Sequence, residues 1–196
     1  QERLVVYKLM LEPHENYAEI LEYIRGCMGQ QIERVVLTRL DPDTYESLSS
    51  TLKNSQIDSL KVSIRDFPER MSNVVLEMVK KHKVREIMFV LSRSIVFNPA
   101  NFLLELSSLV ESISIFHVND QLFGISDSQW TPLLVEMYSR KLKFLSIHKK
   151  NLAQELMKSL KENIPLINKN ISLIVVSKTS ITRNEVRYQQ NNHYIR

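Results

Sequence analysis

This 196-residue chain has one cysteine, three glycines and six prolines. No apolar run approaches the roughly 18 residues that would cross a bilayer, so no membrane contact is expected. The single thiol, Cys27, excludes an internal disulfide and favours a reducing compartment, so a cytoplasmic or nuclear location is expected. Three glycines cannot build a phosphate-cradling loop, and so few glycines and prolines leave no flexible linker. One domain spanning residues 1–196 is expected. The five histidines, His14, His82, His117, His148 and His193, are dispersed and match no metal-ligand spacing. No metal and no cofactor are expected. Cys27 falls at the end of the first predicted helix, beside Gly26 and Gly29, and the sequence supplies no obvious base to activate it. The N-terminal residues show no secretory-signal pattern. The sequon Asn170-Ile171-Ser172 sits at a predicted strand start, where a glycan would disturb pairing, and reads as a chance match.

What the chain does have is a repeat. Apolar residues spaced "x, +3, +5" recur seven times: Leu4, Tyr7, Leu9; Ile32, Val35, Leu37; Ile57, Leu60, Val62; Val84, Ile87, Phe89; Val110, Ile113, Ile115; Leu142, Leu145, Ile147; and Ile171, Ile174, Val176. Their starts are separated by 28, 25, 27, 26, 32 and 29 residues. Each interval has room for one strand and one helix, a unit that cannot bury its apolar face without stacked neighbours.

One unit serves as specimen. Ile57–Phe67 alternates, with Leu60, Val62 and Ile64 on one face and Ser59, Lys61 and Ser63 on the other. Pro68 suits a first helical turn, and Met71, Val74, Val75, Met78 and Val79 share one helix face. Lys80, Lys81 and Lys83 then gather at the helix C-terminus, where cations complement the dipole. Pro13, Pro42 and Pro99 also precede amphipathic stretches, with Asp41 and Asn98 as candidate N-caps. Further helix stripes are Tyr17, Ile20, Leu21, Ile24; Tyr45, Leu48, Leu52; Phe102, Leu103, Leu106; Trp130, Leu133, Leu134, Met137; and Leu152, Leu156, Leu160. Ser126 or Ser128 would cap the helix containing Pro132, and Asn151 the next. Thr182-x-x-Glu185 reads as a capping box opening a short closing helix.

Strand alternating with helix predicts an α/β fold with right-handed crossovers and a mostly parallel sheet. The second strand face distinguishes a doubly wound sheet from a one-sided one. It reads Arg34, Val36, Thr38; Ser59, Lys61, Ser63; Glu86, Met88, Val90; Ser112, Ser114, Phe116; Phe144, Ser146, His148; and Leu173, Val175, Ser177. A sheet covered on both sides needs near-continuous apolar strands, and this face is small and polar. The expectation is a leucine-rich-repeat-like solenoid of about seven strand–helix units with helices on one face. The usual Asn or Cys of that consensus is replaced by Leu40, Arg65, Ser92, Val118 and Lys150.

No catalytic residues are expected. His117 and His148 lie near the ends of neighbouring strands, but strand parity puts them on opposite faces. The candidate partner-binding residues are Lys61, Met88, Ser114, Phe116, Phe144, Ser146 and His148 on the open face, with Phe116, Phe144 and Met88 as an apolar column among serines. Trp130 is expected in the core. Charge is uneven: residues 1–120 carry 14 basic and 17 acidic side chains, and residues 121–196 carry 12 and 5. The tract Arg140–Lys150 offers Lys141, Lys143, Lys149 and Lys150 as possible nucleic-acid-binding residues, with Phe144 available to stack a base. An RNA-associated or ribonucleoprotein-binding module is therefore the alternative to a protein-binding domain.

Three segments carry a family resemblance. Ile57–Ile64, a helix and Val84–Phe89 form a strand–helix–strand theme; Ser128-Gln129-Trp130 precedes the central helix; and Ile171–Val186 forms a closing strand followed by "Ile-Thr" and an acidic segment. Together they resemble the FTH (DUF38) domain that follows the F-box in nematode F-box families, over about Leu48 to Tyr188. The resemblance implies substrate recognition in an F-box-type ubiquitin-ligase adaptor. Its partner would be the protein to be ubiquitinated, with a Skp1-like protein bound only through an F-box upstream of this chain.

Overall fold

The computed structural model describes residues 6–11, 19, 22, 25, 31–39, 41–64, 67–91, 99–117, 125, 127–149, 172–178 and 183–189. Strands are β1 (Val6–Leu11), β2 (Gln31–Thr38), β3 (Gln56–Ile64), β4 (Glu86–Leu91), β5 (Ser112–His117), β6 (Phe144–Lys149), β7 (Ser172–Lys178) and β8 (Arg183–Gln189). Among the described residues the helices are α1 (Pro42–Thr51), α2 (Glu69–Lys81), α3 (Ala100–Leu109) and α4 (Asp127–Tyr138). The eight strands form one sheet in chain order, β1-β2-β3-β4-β5-β6-β7-β8. Every pairing from β1 to β7 is parallel. The expectation of an α/β chain with a mostly parallel sheet is met.

The apolar spacing sets the register where it is strongest. Val35 faces Leu60, Leu60 faces Ile87, Ile87 faces Ile113, and Ile113 faces Leu145. At both ends the register differs from the expected phase. Leu9 pairs with Val35 rather than Leu37, so β1 is displaced by two residues and keeps its face. Leu173 and Val175 pair with Leu145 and Ile147, so β7 is displaced by one residue. That shift moves Leu173 and Val175 to the core side of the register and Ile174 and Val176 to the other. The run Ile171-Ser172-Leu173-Ile174-Val175-Val176 is apolar at both parities, so alternation could not choose a face there.

The closing segment is also corrected. Arg183–Gln189 is a strand, antiparallel to β7, not a helix opened by Thr182 and Glu185. Val186 opposes Val175 and Tyr188 opposes Leu173. Valine and tyrosine favour a pleated surface, and the unpaired edge of β7 supplies a partner for every residue of the segment, outweighing a local capping preference.

One core lies between the sheet and the helices. Val35, Leu37, Leu60, Val62, Ile87, Phe89, Ile113, Ile115, Leu145 and Ile147 are all at or near zero exposure. They form one cluster with Tyr45 and Leu48 of α1, Met71, Val75 and Met78 of α2, Phe102 and Leu106 of α3, and Trp130 and Leu134 of α4. All four described helices thus pack on the same side of the sheet, each against the next. Phe67, Phe89 and Phe102 meet edge to face, with ring centroids 5.3–6.0 Å apart, and tie two successive units together.

The signal at Asp41-Pro42 holds in detail, and those at the later prolines hold in part. Asp41 caps α1, its carboxylate accepting from the Thr44 N–H at 2.9 Å, with Pro42 at the first helical position. That N–H bond is the main cause holding the Asp41 carboxyl below its ordinary value. Pro68 is the cap residue of α2 itself, and α2 starts at Glu69. Pro132 lies inside α4, which begins at Asp127 and therefore contains Ser128 rather than being capped by it. Several expected features lie outside the described residues: Leu40, Arg65, Ser92, Val118 and Lys150; the stripes built on Tyr17 and Leu152; and Pro13, Cys27, Asn98, Ser126, Asn151 and Asn170.

Successive helix ends are joined by basic side chains. Lys81 Nζ donates to the Ser49 carbonyl at 2.7 Å, Lys141 Nζ to the Leu109 carbonyl at 2.8 Å, and Arg140 Nη1 to the Leu104 carbonyl at 2.8 Å. The Ser49 and Leu109 carbonyls lie in the last turn of their helices, where carbonyls lack intrahelical partners, and the next unit supplies donors there; the Leu104 carbonyl lies one turn further in and is shared. His82, fully buried, adds a third kind of link. Its Nδ1 lies 2.9 Å from the Ser55 carbonyl, which can only accept, so Nδ1 carries the proton and Nε2 accepts from Ser49 Oγ at 3.1 Å.

Candidate functional site

The sheet face away from the helices follows from strand parity and register. One row across it runs Lys8, Arg34, Ser59, Glu86, Ser112, Phe144. A second runs Met10, Val36, Lys61, Met88, Ser114, Ser146. A third runs Thr38, Ser63, Val90, Phe116, His148. All seven expected partner-binding residues therefore share one face. Ser146 is buried at 5% exposure, and the other six are partly buried.

The apolar column does not form as expected. Met88, Phe116 and Phe144 occupy three different rows, with Ser114 between Met88 and Ser146. Phe116 instead has Val90 on one side and His148 on the other. The Phe116 and His148 rings are stacked, 7° from parallel with centroids 4.2 Å apart. Cross-strand partners can stack that closely only with their ring normals along the line joining the strands. Both rings therefore stand upright from the sheet and turn their edges outward. Ser146 Oγ shares a 2.7 Å hydrogen bond with His148 Nε2, two residues along the same strand, and this fixes the imidazole against Phe116.

The basic tract is mostly engaged within the chain. Lys141 donates to the Leu109 carbonyl, and Lys143 pairs with Glu111 at 3.0 Å. The Lys143 ammonium is the first cause holding the Glu111 carboxyl below its ordinary value. Lys149 ends β6, and its side chain and all of Lys150 lie outside the described residues. His117 sits at a register position on the helix side of the sheet, opposite His148's face as expected. Trp130 is 1% exposed in the core, as expected.

Sequence reasoning passed over Lys8 and Arg34 as functional candidates. Both are exposed, on adjacent strands, and paired in register. The available signal was their parity with Lys61, but their adjacency depended on the β1 register. A recess of about 450 Å³ between α1 and α2 is bordered by Glu46, Glu77 and Lys81. Each of these three is already engaged, with Arg70, Lys80 and the Ser49 carbonyl respectively. No group of three or more His, Cys, Asp or Glu side chains suited to a metal is present among the described residues. No described helix is long and apolar enough to cross a membrane.

No protein-family model matches the chain, and no curated protein matches it.

Proposed function

We propose that the chain is a non-catalytic protein-binding domain, a leucine-rich-repeat-like solenoid of about seven strand–helix units that recognises a partner through the open face of its sheet. The observation that carries this reading is the sheet face that bears no helix among the described residues, with Phe116, Phe144 and Met88 set among serines. Apolar anchors inside a polar surround are the usual composition of an interface. The resemblance to the FTH (DUF38) domain makes substrate recognition in an F-box-type ubiquitin-ligase adaptor, in cytoplasm or nucleus, the specific role proposed. The sequence encoded immediately upstream of Gln1 checks that part, because an F-box there would provide the Skp1-like contact.

Two features support binding over catalysis and over nucleic acid. The Ser146–His148 pair resembles a nucleophile and its base, but the strands on both sides of β6 engage its backbone in parallel ladders. No backbone N–H of β6 is then left to hold an oxyanion. Stacked bases need an exposed ring face, whereas Phe116 and His148 present edges.

A photo-crosslinking residue placed at Ser114 in the chain expressed in cells tests the reading, with one at Asn73 on α2 as the contrast. Crosslinks are expected from position 114 and should vanish when Phe116→Asp and Phe144→Asp are combined, with an unchanged circular dichroism spectrum. Crosslinks from Asn73 alone, or crosslinks at 114 that survive the double substitution, would refute the open face as the binding surface.

A further inference from the structure

We infer that the open face selects an acidic, extended segment of its protein partner, with carboxylates over β1–β3 and an apolar residue over β4–β5. The inference rests on the proposed binding face and names the chemistry of what sits there.

Three cations mark the acidic end. Lys8, Arg34 and Lys61 lie on three successive strands, and none forms an ion pair or hydrogen bond among the described residues. Several cations on the helix side and at the strand entrances are paired, whereas Lys53 and Lys83 there form no ion pair among the described residues. Arg70 binds Asp43 and Glu46, Lys80 binds Glu77 and Glu105, Arg85 and Lys143 share Glu111, and Arg140 binds Glu136. By register Glu86 lies on this face in the row of Arg34, two strands away, and Glu33, exposed on β2, directly precedes Arg34. The β8 register positions Glu185 and Arg187 add one charge of each sign at the far edge.

The apolar end has the same electrostatic sign at its rim. An aromatic ring is negative on its face and positive at its edge. The upright Phe116–His148 stack therefore offers ring edges to oxygen atoms, with Val90 and Met88 beside it as apolar floor. Carboxylates and peptide carbonyls are favoured above such a surface, and cationic side chains are not. Neighbouring strands lie about 4.8 Å apart and Phe116 lies one row beyond Lys61, about 7 Å along the strand, so the two are separated by roughly 12 Å. An extended peptide covers that distance in about three to four residues. A segment with glutamates followed about three to four residues later by an apolar side chain matches both ends at once.

The probe is a fluorescent eight-residue peptide with three glutamates at one end and two leucines at the other, made in both chain directions. A lysine counterpart and oligouridine serve as comparisons, all titrated against the full chain. The glutamate peptide should bind in one direction, weaken with added salt and lose affinity about tenfold or more in the Arg34→Glu, Lys61→Glu double variant. On that variant the lysine peptide should gain what the glutamate peptide loses, a charge swap that a misfolded protein could not produce. Equal binding of the two peptides to the parent chain, or no exchange of preference in the variant, would overturn the inference. So would preferential binding of oligouridine, or self-association that the double variant abolishes, since either gives the face another occupant. If crosslinking through Ser114 persists while the glutamate peptide fails, the binding face stands and the acidic partner falls. If crosslinking through Ser114 is also lost, the face itself is wrong.

Discussion

His82 shows what a single side chain does in this architecture. It closes α2, yet its two ring nitrogens reach back to Ser49 in α1 and to Ser55 ahead of β3. Truncation would leave a buried carbonyl and a buried hydroxyl short of partners and open a cavity. His82→Ala should therefore cost about 3 kcal/mol in urea unfolding. Burial holds the pKa of His82 below its ordinary 6.5. The unfolded chain protonates the ring near 6.5 and binds more protons than the folded one between the two values, so stability rises with pH there. The stabilisation is complete above about 6.5 and is lost as pH falls through the folded value. Between about pH 7.5 and about pH 5 the parent chain should lose stability more steeply than His82→Ala, as read by the urea midpoint. Nothing local marks His82 for this role. Its partners are 33 and 27 residues away, and only the stacking of one unit on the next brings them within reach.

Among the elements, legibility follows how strongly local chemistry agrees with packing. At α1 they agree: Asp41-Pro42 gives a cap and a first turn, and Tyr45, Leu48 and Leu52 supply the buried stripe. Asp41→Ala should lower stability by about 1 kcal/mol, measurable by thermal or urea denaturation. Strands β2 to β6 were readable down to the register because only one parity in each is continuously apolar. Strand β7 was not, being apolar at both parities, and its phase is set by the neighbour it pairs with. The segment at Thr182 misled for a related reason. A capping box is a local preference of a few residues, whereas β8 gains seven cross-strand partners along β7. The face of each candidate site residue was legible from parity alone. The Phe116–His148 stack and the three cations left unpaired among the described residues needed exact neighbours across strands, which depend on loop lengths as well as on alternation.

Across the whole molecule, neighbours in sequence are neighbours in space, and β8 turns back to cover the edge of β7. An exposed, mostly apolar edge such as that of β7 is a template for pairing with another chain. A chain ending at Lys178 should therefore self-associate, with light scattering rising steeply with concentration, while the parent stays dispersed. The strand–helix grammar was visible from β2 to β6 because each of those units repeats the same burial problem. The ends of the sheet were less visible, since a terminal strand answers to one neighbour instead of two. The chain-ordered sheet also governs how the protein responds to load. Among the described strands every pairing joins sequence neighbours, so tension applied at the two termini would load those pairings in series. Extension should peel strands away one after another from an end, giving a staircase of small ruptures rather than one large event.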